Sequence, residues 1–344
     1  MTWIPLLLTD PSPCLRLKVL KELMNKPDGD PEVMELKELL EKDPIYQRMR
    51  EFQNKAGFWE MNTANLSKSK NKIQTTALEM NRLGYLGFNK TYEITQKAAN
   101  FLFSQQNDDG SWPLPGKGYF LGEEDKYESM PIQTAIPLIG LAICGYATDE
   151  RCEKAFDWLL KQKLDDGAWP VGINSGVYGG IAGYRKLAHS KWGCRSNTTA
   201  VLRSFCYHPK RRNSAEAKRA LDMLLATDMK PRHDLGFYIA RIIGAETSYG
   251  RITFYAKFDI AQILDLCWRI GADKDDLRVK KLIDFMIEER GVYGLWKCIP
   301  HPKVSKWLTF DILRSLSNLE KEKEWISLEP ITPFRAYPKK LKRF

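Results

Sequence analysis

The sequence predicts an all-α fold, a single-domain α/α toroid of about six helical hairpins. Three observations carry this reading. A helix-and-turn phrase ending in Gly-x-Trp is spelled several times along the chain. Each copy is followed by a second, more apolar helix. Helices of that second kind number six, enough to close a ring and bury the faces that an open solenoid leaves to caps.

The clearest copy is Lys154-Ala-Phe-Asp-Trp-Leu-Leu-Lys-Gln-Lys-Leu-Asp-Asp-Gly-Ala-Trp169. Ala155, Trp158, Leu159 and Gln162 fall at helical spacing and give the segment one inward face. Asp165-Asp166-Gly167 ends the helix, because glycine reaches the left-handed conformation that a helix terminus asks for. Trp169 then folds back over the helix end, and Gln162 and Trp169 are expected to tie that end to its neighbour. The same phrase stands at Lys97–Trp112, more loosely at Met49–Trp59, and at Leu282–Trp296 without its Gln. A further copy, from Ala217, has Tyr238 in the Trp place. Trp59, Trp112 and Trp169 are spaced by 53 and 57 residues, the period of stacked helical hairpins.

In chain order, Asp10-Pro-Ser-Pro opens a helix running to about Met24, with a cap residue and prolines at its start. A turn at residues 27–31 and helical segments 32–42 and 44–54 lead to Trp59. The inner helices are expected near 11–25, 73–86, 131–146, 197–208, 258–270 and 308–319, with five outer helices between them. Residues 1–56 form a helical segment closing the ring, 57–320 the repeats, and 321–344 a basic tail. The loops after Trp59, Trp112, Trp169, Tyr238 and Trp296 emerge on one rim. They are longer than hairpin turns, so they are the place to look for function.

The formal charge of +10 suits an anionic partner such as a diphosphate or an acidic lipid. No run of aromatic and basic residues makes a nucleic-acid module, so none is expected as partner. The apolar stretch at the N-terminus is too short, and lacks the basic start, for a signal peptide; no segment has the length of a membrane span. Seven cysteines, several in buried-looking helices, fit a reducing cytoplasm.

The repeats at Trp112 and Trp169 resemble the QW motifs of squalene and oxidosqualene cyclases. The Thr-Ala-x-x-x-Leu helix openings resemble those of the cyclases and of protein prenyltransferase β subunits. The likeness covers roughly residues 45–320. It implies a toroid around a cavity for an isoprenoid or similar lipid-like molecule, and, for the cyclases, protonation of an alkene or epoxide by the central acid of an Asp-x-Asp-Asp motif. The literal match, Asp273-Lys-Asp275-Asp276, falls before an outer helix on the opposite rim and reads as a capping turn. The stretch in the cyclase position is Ala256-Lys-Phe-Asp259, which keeps only the last Asp. Asp311, in Phe310-Asp-Ile, is expected to be its equivalent one repeat later. Asp259 and Asp311 are therefore the candidate acids, expected to open consecutive inner helices and face one apolar cavity; each is also a natural helix cap.

Tyr178, Trp192, Arg195, Tyr255, Lys257, Phe258 and Trp307 are the candidate substrate-binding residues. Aromatic faces stabilise a carbocation, and Arg or Lys would receive a diphosphate. The bland alternative is core packing and a solvated basic rim. The zinc ligands of the prenyltransferases are not carried over: Ala261 stands where they have Cys, and no His opens the next inner helix. No cofactor is required. A zinc ion would have to draw on Cys194, Cys298 and His301, and magnesium on Gly122-Glu-Glu-Asp125. The function expected is handling of a polyprenyl substrate by acid-initiated cyclisation. Isoprenoid diphosphate transfer and non-catalytic lipid or peptide binding stay open as alternatives. A cytoplasmic location is expected, with the tail at Tyr337–Phe344 suited to a peripheral contact with acidic lipid headgroups.

Overall fold

The computed structural model describes residues 3–64, 66–68, 71–113, 130–172, 181, 183–226, 235–247, 251–291 and 293–319. The fold is all-α. The N-terminal part holds α1 (Trp3–Leu8), α2 (Pro13–Lys18, continued as a π-turn over Val19–Leu23), α3 (Pro31–Leu39) and α4 (Pro44–Phe52). The repeats supply α5 (Lys72–Leu86), α6 (Glu93–Ser104), α7 (Pro131–Leu141), α8 (Glu150–Lys161), α9 (Arg195–Phe205) and α10 (Ala215–Leu225). Then come α11 (Phe237–Ile242), α12 (Arg251–Ala256), α13 (Ile260–Ile270), α14 (Leu277–Glu288) and α15 (Ser305–Leu319). A two-residue antiparallel ladder, Met61–Asn62 with Ser67–Lys68, lies in the loop before α5.

Helices α5, α7, α9, α13 and α15 follow one another around a ring, with α12 packed on α9. Arg203 of α9 reaches Asp265 of α13, and α15 packs on Val19–Leu23 and on α1. Lys18 lies over the Tyr85 ring of α5 at 5.1 Å and so links the N-terminal segment to the first repeat. Helices α4, α6, α8, α10 and α14 form the outer layer. Inner helices sit closest where a side chain is missing: a Cβ on Gly140 of α7 would stand 2.7 Å from the carbonyl oxygen of Ala77 in α5. Among the described residues no helix is long and apolar enough to cross a membrane.

The Gly-x-Trp phrase is a clamp with the same bonds in each copy. The indole N–H of Trp59, Trp112, Trp169 and Trp296 donates to the carbonyl ten residues earlier, at 2.7–2.8 Å. Their backbone N–H groups donate to Thr76, Thr134, Thr198 and Thr309 of the following inner helix. Each indole thus adds a bond to a carbonyl in the last turn of the outer helix, while the ring is fully buried. Gly110 takes φ +93°, and a Cβ there would meet Lys154 of the next outer helix at 2.5 Å. The Lys-Ala start of one repeat and the Gly-x-Trp end of the previous one are therefore two halves of one contact. The amide of Gln53 bridges its own turn to Ile94 of α6, and that of Gln106 bridges to Arg151 of α8. These glutamines stand six residues before their Trp. The sixth position before Trp169 holds Lys163, so Gln162 is one place out of register with the tie expected of it.

Candidate functional site

The stretch expected to be one long loop, Tyr238 to Asp259, contains α11 and α12, and α11 turns inward. Arg82 of α5 donates to the Ile242 carbonyl at 2.6 Å, and Arg203 of α9 to the Tyr238 hydroxyl at 3.0 Å. Asp259, at the start of α13, accepts from the backbone N–H of Gly236 at 3.2 Å and of Tyr238 at 2.6 Å. Helices α5 and α9 are separated by α7 in the ring, so an element bonded to α5, α9 and α13 crosses its interior. Phe237, Tyr238, Phe254 and Tyr255 form an aromatic layer there, with Phe254 within 4.9–6.0 Å of the other three rings.

Asp259 lies beneath this layer, 1% exposed. It caps its own helix through Ala261 N–H at 3.1 Å, yet it points inward rather than to solvent. Burial pushes its carboxyl up to about 6, against the pull of the Tyr238, Gly236 and Ala261 N–H groups. The Tyr238 N–H to Asp259 bond stands where the other repeats have Trp N–H to Thr. Tyr238 is thus a true occupant of the Trp place, and Asp259 occupies the Thr place. The counterpart of Asp259 one repeat later is consequently Thr309, not Asp311. Asp311 lies two positions further on, inside α15, which begins at Ser305; the expectation that it opens an inner helix is corrected. A loop length misjudged by a few residues shifted that register.

Asp259 and Asp311 do line one buried space, together with Arg203, Tyr238, Gln262 and Asp265. The space is about 10 Å³, room for roughly one water molecule. Its walls are not apolar. Asp265 is shared by Arg203, by Arg269 at 3.0 Å and by Arg314 at 3.0 Å. Arg314 also bonds Asp311 at 2.7 Å and Glu22 at 3.3 Å, and the Tyr85 hydroxyl donates to Asp311 at 3.0 Å. Burial works against the Asp265 carboxylate, but Arg269, Arg203 and Arg314 hold it well below the usual range. Burial likewise opposes Glu22, which Lys18 and Arg314 bring down to about 2. For Asp311 burial wins over Arg314, and its carboxyl is pushed up. Within the described residues, the space shared by Asp259 and Asp311 is bordered by an ionic cluster and by Tyr238.

The other candidates are placed as follows. Tyr255 is buried in the aromatic layer, and the Lys257 ammonium lies over the Phe237 ring at 5.4 Å. The Arg195 guanidinium lies 5.8 Å from the half-buried Phe258 ring. Trp307 packs α15 on α5, its ring 5.7 Å from Tyr85. Trp192 stands at the surface, 38% exposed, and lines nothing central. Cys194 and Cys298 are buried, and His301 pairs with Glu246 at 3.0 Å. Among the described residues no three His, Cys, Asp or Glu side chains group closely enough to hold a metal. Tyr178, Glu123–Asp125 and the tail lie outside the described residues. Asp276 caps α14 and bonds Arg278, while Asp273 and Asp275 are exposed, as a capping turn should be.

Sequence reasoning passed over Asp265, Arg203 and Arg314. Their signal was a charged residue in an otherwise apolar inner helix, at Leu202-Arg203-Ser204, Leu264-Asp265-Leu266 and Leu313-Arg314-Ser315. Arg203 and Arg314 each follow the clamp threonine by five residues.

Residues 44–182 match the model of the squalene–hopene cyclase C-terminal domain. Lanosterol synthase of Candida albicans is 33% identical over 88 residues, covering 24% of this chain and 12% of that protein. Squalene–hopene cyclase of Zymomonas mobilis is 34% identical over 83 residues, covering 24% and 13%. The matches thus take in about an eighth of those relatives' length. The type II terpene cyclase MstE from Scytonema superposes with a TM-score of 0.47 at 16% identity, over 80% of this chain and 71% of that one. The matched region holds the clamps at Trp59, Trp112 and Trp169, so over residues 44–182 the chain is similar to the squalene–hopene cyclase C-terminal domain.

Proposed function

We propose that the protein is a terpene-cyclase-like toroid that takes an isoprenoid chain against the aromatic layer of Phe237, Tyr238, Phe254 and Tyr255. In this reading Asp259 is the acid that starts a cyclisation. One observation carries it: a buried carboxyl, pushed up to about 6, beneath aromatic faces. The proton of Asp259 would pass to one carbon of a terminal double bond, whose π electrons form the new C–H bond. The other carbon becomes a cation, which ring faces stabilise without reacting with it. As the proton leaves, charge develops on the Asp259 oxygens, and the Gly236, Tyr238 and Ala261 N–H groups already aim at them from 2.6–3.2 Å. Asp311 serves as ion-pair partner of Arg314 rather than as an acid. A space for about one water holds no isoprenoid, whose binding sites run to roughly 300–1,000 Å³.

The hydrogen bonds that make Asp259 a structural cap favour one second reading, binding without conversion. Incubation with squalene and with polyprenols, followed by extraction and mass spectrometry, separates the two. Cyclised product from wild type and none from Asp259→Asn supports acid catalysis. Undiminished product from Asp259→Asn rules Asp259 out, and recovery of bound but unchanged lipid favours the binding toroid.

A further inference from the structure

Arg241, on the inward-turned helix α11, makes no ion pair among the described residues, and the Glu246 carboxylate acts on it only from a distance. Its Nη1 is fully enclosed and has no hydrogen-bond partner. Its guanidinium lies 5.4 Å from the Phe254 ring, in the aromatic layer. The charges around it are otherwise engaged. Arg82 is neutralised by Glu79 at 2.5 Å, and Glu246, hydrogen-bonded to His301 at 3.0 Å, stands beyond ion-pair distance of Arg241. Tyr255, also close, is a neutral phenol whose ionisation burial resists. Burial lowers the Arg241 guanidinium from its ordinary value, the sign of a charge that its surroundings do not compensate.

Such an arrangement costs stability in the free protein. Three of the most deeply buried guanidinium groups of this ring, Arg82, Arg203 and Arg314, are met by carboxylates. A planar guanidinium lying against an aromatic face, with a donor left over, is suited to an oxyanion that brings two acceptor oxygens. We infer that Arg241 is the receiving group for an oxyanion, of the phosphate class, carried by the ligand of this ring. That the site takes an anion stands on its own geometry. That the anion is the head of an isoprenoid rests on the function proposed above, and would make the substrate a polyprenyl diphosphate or similar amphiphile.

Calorimetry and thermal melting with three probes test this: inorganic diphosphate, geranylgeranyl diphosphate and geranylgeraniol. Wild type is expected to bind inorganic diphosphate and to melt at a higher temperature in its presence. Arg241→Gln should lose that binding at least ~tenfold, since it removes the charged fork, and Arg241→Lys should fall between. Without any anion, Arg241→Gln should melt at or above the wild-type temperature, because it removes an uncompensated charge. Diphosphate binding within twofold of wild type in Arg241→Gln would overturn the assignment, as would a lower anion-free melting temperature in that variant. Binding of inorganic diphosphate with no gain from the geranylgeranyl chain would keep the anion site and sink the isoprenoid reading.

Discussion

Asp265→Ala is the sharpest test of the ionic centre. The carboxylate is 3% exposed and faces three guanidinium groups. After its removal Arg314 keeps Asp311 and Glu22, and Arg269 is 15% exposed and reaches water. Arg203, 2% exposed, keeps only the Tyr238 hydroxyl, which cannot offset a full charge. Breaking a buried pair from one side costs about 3–5 kcal/mol. At about 2 °C per kcal/mol for a chain of this size, melting should fall by roughly 6–10 °C. The assay is denaturant unfolding of Asp265→Ala, Arg203→Met and the double variant. Arg203→Met with Asp265→Ala should recover most of the loss, since it takes away the stranded charge; the pair should therefore be strongly non-additive. A loss under about 1 kcal/mol in Asp265→Ala, or simple additivity in the cycle, would refute the claim that Asp265 holds Arg203 in the ring.

Trp112→Ala and Trp169→Ala should each cost about 3–5 kcal/mol in urea unfolding, the range for emptying a buried aromatic site; an unchanged midpoint in either would disprove the clamp. Asp259 binds its proton more tightly folded than unfolded, so its contribution to stability is complete below about pH 4 and is lost as pH rises through about 6. Relative to Asp259→Asn, wild type should therefore weaken by roughly 2 kcal/mol between pH 4 and 7, and a flat difference across that window contradicts the raised carboxyl. Changing Asp273, Asp275 and Asp276 together to Asn should cost under about 1 kcal/mol, because Asn caps α14 as well as Asp and only the partly exposed Asp276–Arg278 pair is lost, and should leave ligand binding intact when measured by calorimetry.

The ring was legible because its signal is repeated and local. Gly-x-Trp fixes a turn, the spacing of Ala155, Trp158 and Leu159 fixes a face, and repetition multiplies both. The register of the degenerate repeats was not legible in the same way. It is set by a hydrogen bond, Tyr238 N–H to Asp259, across an intervening segment whose two short helices leave little periodic trace. Hence Asp259 was picked out correctly as a buried cap, while Asp311 was assigned to the wrong position of its helix. The ionic centre was missed for another reason. A single Arg in Leu202-Arg203-Ser204 looks like a surface residue unless the facing helix is known, and Asp265 and Arg314 arrive from 62 and 111 residues away. Only the closed ring brings them together.

The clamp also makes each repeat separately observable. The indole protons of Trp59, Trp112, Trp169 and Trp296 are each shut away from solvent and bonded to a helix-end carbonyl, whereas the Trp192 ring meets water. Indole exchange with deuterium is thus gated by opening of the hairpin that holds each ring. Four resonances in one spectrum would time four openings around the ring. They would show whether it comes apart at one seam or everywhere at once.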